Sequence, residues 1–225
     1  MARLGLHRDI SYCQVEDRLI FLDIQNDRYF RLSARMESAF ARYVEEGDDS
    51  ATGIRDLVAR QILVDGPGHD TPVPILSVGL PTRSAMEVDA PVGRTGSITV
   101  LYTIGIVCLT HLQLKTRRLK HVLDEVALYR ERNAPSSPGA SHREESLLAA
   151  AAAFRSVRPY VPLDTCCLPD SIAMVRFLAK RGFHAQLVFG VTGEPFSAHC
   201  WVQHDAIVLN DTVGHAAAHT PIRVI

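Results

Sequence analysis

No CxxC pair occurs among the five cysteines, at positions 13, 108, 166, 167 and 200. With the odd count, this argues against a zinc ribbon and against a disulfide framework. Lysine is scarce: Lys115, Lys120 and Lys180 are three of 24 basic residues, and the other 21 are arginine. That bias reads as genome composition and carries no functional signal. No sign of charge dominates, since 25 acidic residues bring the formal net charge to −1. A strongly basic nucleic-acid binder and an acidic solvating tail are thereby excluded. The N-terminal MARLGLHRDISYCQ lacks an apolar secretory core, so the chain is expected to stay in the cytosol with its thiols reduced. No Walker motif is present.

One stretch lacks Asp, Glu, Lys and Arg, the 16-residue run SITVLYTIGIVCLTHL from Ser97 to Leu112. It falls short of the roughly 20 residues that span a bilayer and is expected to be a buried core helix. A membrane-lying helix is the rival, because Lys115, Arg117, Arg118 and Lys120 follow directly. What is present is otherwise ordinary: 225 residues, 47% hydrophobic and 22% charged. That is a globular composition, with room for one large domain or two small ones.

Pattern divides the chain. Short strands are predicted at Tyr12–Val15, Leu19–Ile24 and Tyr29–Leu32, close enough in sequence for an antiparallel meander. Ser33 is placed to cap a helix over Ala34–Tyr43, with Glu37 as partial support. A second helix is predicted over Gly53–Gln61, with Ile54, Leu57, Val58 and Ile62 on one face. Pro- and Gly-rich stretches at Gly66–Gly96 and Asn133–Ala140 read as loops or linkers. The apolar helix continues, with a kink, to about Arg132. Further helices are predicted at Ser146–Val157, which is rich in alanine, and at Leu168–Lys180, with Gly182 at the C-cap. Strands Ala185–Phe189, Ala198–Gln203 and Ile207–Asn210 follow. Helices followed by antiparallel strands indicate an α+β fold.

Three residues in the last 60 carry chemistry. Cys167 opens a helix, where unpaired N–H groups and partial positive charge lower a thiol pKa. His199 sits within a strand and can take the thiol proton and return it to a leaving amine. Asp211 follows the next strand and can fix the imidazole tautomer. Taken alone, such residues are usually a small buried hydrophobe, a hydrogen-bonded core or surface residue and a turn former; the order Cys-helix, His-strand, Asp-strand is more specific. Cys166 competes for the nucleophile role, and Cys200 is expected on the opposite strand face, buried. Side-chain alternation sets a condition. A two-residue His204-Asp205 loop turns Asp211 away from His199, so an odd-numbered loop or a bulge is required. His184, His204, His215 and His219 form no metal spacing, and no metal is expected.

The segment CLPDSIAMVRFLAKRGFHAQLVFGV, followed by PFSAHCWVQ and VLND, resembles the lasso peptide biosynthesis B protein family. These are leader peptidases with a transglutaminase-like, papain-related cysteine protease fold. The resemblance covers most of residues 95–225 and implies Cys167 as nucleophile, His199 as general base and Asp211 as orienting acid. Two positions depart from the family's habit. Asp170 stands where an Arg or similar residue is usual and is expected to oppose thiolate formation slightly. Cys200 stands where Ala often separates the His from the Trp.

The N-terminal strands and helices resemble the winged-helix-like module, related to the pyrroloquinoline quinone chaperone, that recognises leader peptides of ribosomally made natural products. YFRLS matches its third strand. The resemblance implies a leader added as a strand beside Tyr29–Leu32 and packed against the 53–61 helix. The contact residues would be Arg28, Tyr29, Phe30, Arg31, Leu32, Arg55 and Asp56. The expected organisation is a recognition module over 1–75, a linker over 76–96 and a peptidase domain over 97–225. The expected partners are a precursor peptide and an asparagine synthetase-like cyclase. Hydrolysis needs no cofactor, and any ATP dependence enters through the cyclase. The rivals are a transglutaminase and a non-catalytic precursor-binding chaperone on a degenerate transglutaminase-like fold.

Overall fold

A computed structural model describes residues 4–48, 52–65, 78–88, 95–133 and 141–225. The expected loop Asn133–Ala140 lies outside the described residues except for Asn133, as do residues 76–77 and 89–94 of the expected linker. The N-terminal part comprises β1 (Leu4–Leu6), β2 (Ile10–Val15), β3 (Arg18–Asp23), β4 (Arg28–Phe30), α1 (Ala34–Glu46), α2 (Thr52–Ala59) and β5 (Leu63–Asp65). β2, β3 and β4 form the expected antiparallel meander in that order, so β4 is an edge strand. β1 pairs with β5 in a separate two-stranded sheet.

Asp23 builds the β3–β4 turn by accepting the backbone N–H groups of Gln25 and Asn26, each at 3.1 Å. Ser33 occupies the N-cap of α1, but its hydroxyl makes no capping bond. The Glu37 carboxylate instead accepts the Leu19 N–H at 2.7 Å and pairs with Arg18, so it ties helix to strand. Gly47, at φ 73°, closes α1 in the left-handed conformation that glycine tolerates best.

The remainder comprises β6 (Arg83–Ser84), α3 (Ser97–Thr116), α4 (Leu119–Arg132), α5 (Ser141–Val157), α6 (Cys167–Ala179), β7 (Gln186–Val191), β8 (Ala198–His204), β9 (Ile207–Val208), α7 (Val213–Ala217) and β10 (Thr220–Val224). Five strands form one sheet in the order β10-β7-β8-β9-β6. All its pairs are antiparallel except β6 with β9. The stretch expected to be only linker thus contributes an edge strand. α6 packs against β8 and is flanked by α3, α4 and α5.

The expected buried helix at 97–112 is corrected. α3 runs to Thr116, and only Thr103, Val107 and Thr110 are buried along it. Ile98 is 85% exposed, and Leu101 and Leu112 are more than half exposed. Being apolar all round, the run has no polar face to turn outward. The helix is long and apolar enough to cross a membrane by length and composition. The chain breaks at Arg117–Arg118 before α4, where a continuous kinked helix was expected.

Side-chain alternation along β3 explains how the two parts join. Phe21 faces a small core with Tyr12, Phe40 and Leu57. Ile20 and Leu22 face the other way, with Cys13 and Ile24, into the large core that holds Phe177, Leu187 and Val202. One three-stranded sheet is therefore covered on both faces. Lys120 Nζ reaches buried Asp9 at 2.6 Å across the same junction.

Candidate active site

α6 begins at Cys167 with Cys166 in the N-cap position. Pro169 in the first turn lacks an N–H, which costs nothing where N–H groups have no helical partner. Asp170 Oδ2 accepts the Cys166 N–H at 3.2 Å. Its other oxygen pairs at 2.6 Å with Arg158, whose guanidinium also donates to the carbonyls of Leu163 and Asp164. Asp170, expected to oppose a thiolate, is thus neutralised by a buried arginine and fixes the approach to the helix.

His199 lies at the start of β8 and Asp211 just beyond β9. Nε2 of His199 and Oδ2 of Asp211 are 2.6 Å apart. The hairpin loop between β8 and β9 is the two-residue Asp205-Ala206, since His204 pairs with Ile207. Extended onward, that even loop sets Asp211 opposite Cys200, on the wrong face. The ladder does not extend onward. Leu209 N–H still reaches Val202 O, but Val202 N–H bonds to the Asn210 side chain at 2.7 Å. Asn210 also donates to Ser171 Oγ on α6. The strand therefore ends at Val208, and the chain turns Asp211 towards His199. A side chain standing in for a backbone carbonyl does the work expected of an odd loop or a bulge.

Cys167 is half-buried and Cys166 exposed. Cys167 takes hydrogen bonds from the Cys200 thiol and from His199, and a further one from the Cys200 backbone. These and the His199 charge outweigh burial and bring its pKa down to about 4. Cys200 is buried as expected. Its hydrogen bond to Cys167, together with burial, holds its own thiol well above the ordinary value. Burial pulls His199 down, but hydrogen bonds to Cys167 and Asp211 and the charges of both raise it overall. With Nε2 engaged by the carboxylate, Nδ1 is the ring nitrogen left for the sulfur. A thiolate beside an imidazolium is the state these contacts favour.

Several contributors escaped the sequence reading. Asn210 had no signal beyond its place before Asp211. His215, on α7, places Nδ1 2.8 Å from Asp211 Oδ2, which accepts from it, and Thr212 caps that helix through the His215 N–H. One potential ligand atom from each of His199, Asp211 and His215 lies within 4.8 Å of the other two, close enough to hold a metal ion. The i, i+4 spacing of Asp211 and His215 is the one clue the sequence offered. The cleft around these groups measures about 440 Å³ and is lined also by Met86, Phe154, Arg155 and Met174.

The expected leader contacts scatter over a second region. Arg28, Phe30, Arg31 and Leu32 line a cavity of about 430 Å³ together with Met36 and Ile62. Tyr29, with Phe30 and Arg31, lines a separate cavity of about 470 Å³. Arg55 and Asp56 line neither. α2 buries Ile54 and Leu57, so its helical period turns 55 and 56 to solvent, while Arg60 and Gln61 beyond its end reach the first cavity.

A family model for the transglutaminase-like superfamily matches residues 109–224. The microcin J25-processing protein McjB of Escherichia coli is 44% identical over 45 residues, which are 20% of this chain and 22% of that protein. The match thus spans under a quarter of that relative's length. No solved structure matches the chain.

Proposed function

The chain belongs to the transglutaminase-like superfamily, and from that premise we propose that it is a cysteine leader peptidase of lasso peptide biosynthesis. The observation that carries the chemistry is the Cys167–His199–Asp211 array, with the thiol held at about 4 and the imidazole bonded to a carboxylate at 2.6 Å. The substrate is suggested by the likeness to a protein named for processing microcin J25. An edge strand and adjoining cavities in the N-terminal part suit an extended peptide. That part is proposed as the winged-helix-like leader-recognition module, over 1–75, with the peptidase domain over 97–225.

In the proposed reaction the Cys167 thiolate attacks the carbonyl carbon of the leader–core bond. The N–H groups of Cys167 and Leu168 at the first turn of α6 stabilise the oxyanion. The C–N bond breaks, and the core amine takes the proton from the His199 imidazolium. Water then attacks the thioester while His199 accepts its proton. The C–S bond breaks, releasing the leader carboxylate and restoring the thiolate. Asp211 holds the imidazole tautomer throughout. The freed core amine passes to an asparagine synthetase-like cyclase, which spends the ATP; hydrolysis itself draws on no cofactor.

Mass spectrometry of a precursor peptide incubated with the protein tests this, with and without the cyclase. The wild type and Cys166→Ala are expected to cut at one leader–core bond, whereas Cys167→Ala and His199→Ala bind without cutting. Normal cleavage by Cys167→Ala overturns the nucleophile. Binding without cleavage by the wild type leaves a chaperone, and an amide-crosslinked product leaves a transglutaminase.

A further inference from the structure

The turn between β7 and β8, Gly193–Phe196, belongs in sequence to the transglutaminase-like part, yet it packs onto the edge of the N-terminal sheet. Phe196 meets Tyr29 edge-on, with ring centroids 5.6 Å apart. Arg31 donates to the Gly193 carbonyl at 3.4 Å and pairs with Glu194 at 3.5 Å. Gly193 permits the approach, because a Cβ there would lie 3.2 Å from Val15 Cγ1. The turn is internally braced: Thr192 Oγ1 donates to the Pro195 carbonyl and accepts the Ser197 N–H, both at 2.9 Å. Phe196 nevertheless remains 50% exposed.

Two cavities therefore flank β4, one opening on each face of its sheet. That of about 430 Å³ holds Phe30, Leu32 and Met36 of the small-core side, with charged Asp23, Arg28 and Arg60. That of about 470 Å³ is walled by Ile20, Tyr29, Pro195 and Phe196. A peptide paired to the edge of β4 sends successive side chains to opposite faces, hence alternately into a more polar cavity and a more apolar one, the latter also holding the Arg31–Glu194 pair.

We propose that β4 and the Gly193–Phe196 turn form a single two-walled groove for an extended peptide, and that one bulky apolar side chain of that peptide seats between Tyr29, Pro195 and Phe196. The inference rests on the leader-peptide reading above and makes the precursor leader the occupant. It also assigns specificity to residues of the transglutaminase-like part. The same turn leads directly into β8, with His199 three residues after Phe196, so a peptide gripped here is held at the start of the strand that carries the proposed base.

Selection from a displayed library of random 12-residue peptides tests the groove, using the full chain with Cys167→Ala so that captured peptides stay intact. Selected peptides are expected to share an aromatic or large aliphatic residue at one position. Adding Phe196→Ala is expected to weaken them about tenfold and to erase that preference, whereas Phe196→Leu keeps affinity within about threefold. Equal affinity and unchanged preference with Phe196→Ala overturn the second wall and leave leader capture standing. A library that yields no binder to the Cys167→Ala chain overturns leader capture and the groove with it. A dimer in sedimentation that Phe196→Ala converts to monomer makes the occupant a second copy, and likewise overturns the proposal.

Discussion

The cleft at Cys167 and the groove proposed at β4 differ in how they are built. In the cleft, single atoms are fixed by named partners: Asp211 Oδ2 serves both His199 and His215, and Asn210 replaces one backbone carbonyl. In the groove, contact spreads over a strand edge, two rings and a turn. Chemistry needs one sulfur and one proton in place, so its geometry is overdetermined. Recognition of a peptide needs backbone complementarity and volume, so no one side chain dominates. Losses in the cleft should therefore be steep and confined to rate, while losses in the groove should be shallow and confined to affinity.

The largest expected effect is that of Cys167→Ala, which should lower precursor cleavage by about 10⁴-fold or more while leaving peptide affinity unchanged in fluorescence anisotropy. A parallel loss of affinity would dissolve the contrast. Asn210→Ala comes next. Freeing the Val202 N–H should let Asp211 drift from His199 and cut kcat by about tenfold or more, at unchanged affinity.

The pH dependence of iodoacetamide alkylation sharpens the contrast further. A group with a lowered pKa is ionised above its folded value, so Cys167 should react steadily from just above pH 4, where an ordinary thiol near 8.5 is protonated. Cys200→Ala removes the leading stabiliser of that thiolate and should move the alkylation midpoint upward; an unmoved midpoint would discount the Cys200 contact. The smallest effect belongs to the groove. Arg31→Ala gives up a pair with Glu194, which is 81% exposed, and should weaken peptide binding by no more than about threefold with kcat intact.

Much of the cleft was legible because its parts depend on local rules. A Cys before Leu-Pro-Asp-Ser opens a helix, and AHCWVQ alternates as a strand does. The break after Val208 was not legible, because Asn210 acts through Val202 and Ser171, which lie eight and 39 residues away in sequence. β6 escaped for the same reason: two residues become a strand only by pairing with β9. The misread helix α3 shows the limit of composition. Charge-free sequence suggested burial, yet position in the fold left Ile98 and Leu112 outside. In the groove the strand through Tyr29 and Phe30 was legible, although β4 spans Arg28–Phe30 and stops short of Arg31 and Leu32; its opposite wall was not, since Arg31 and Gly193 are 162 residues apart.

The double-faced meander bears on how such a chain can be divided. A piece ending at Asp65 would keep the core around Phe21 and Phe40, but would bare Cys13, Ile20, Leu22 and Ile24 to water. The complementary piece would bare the matching surface of the large core. Two such pieces made separately would be obligate mates, whose encounter depends on the abundance of each. A peptide tether replaces that abundance with a local concentration on the millimolar order, so the joined chain holds its two halves together at any level of expression.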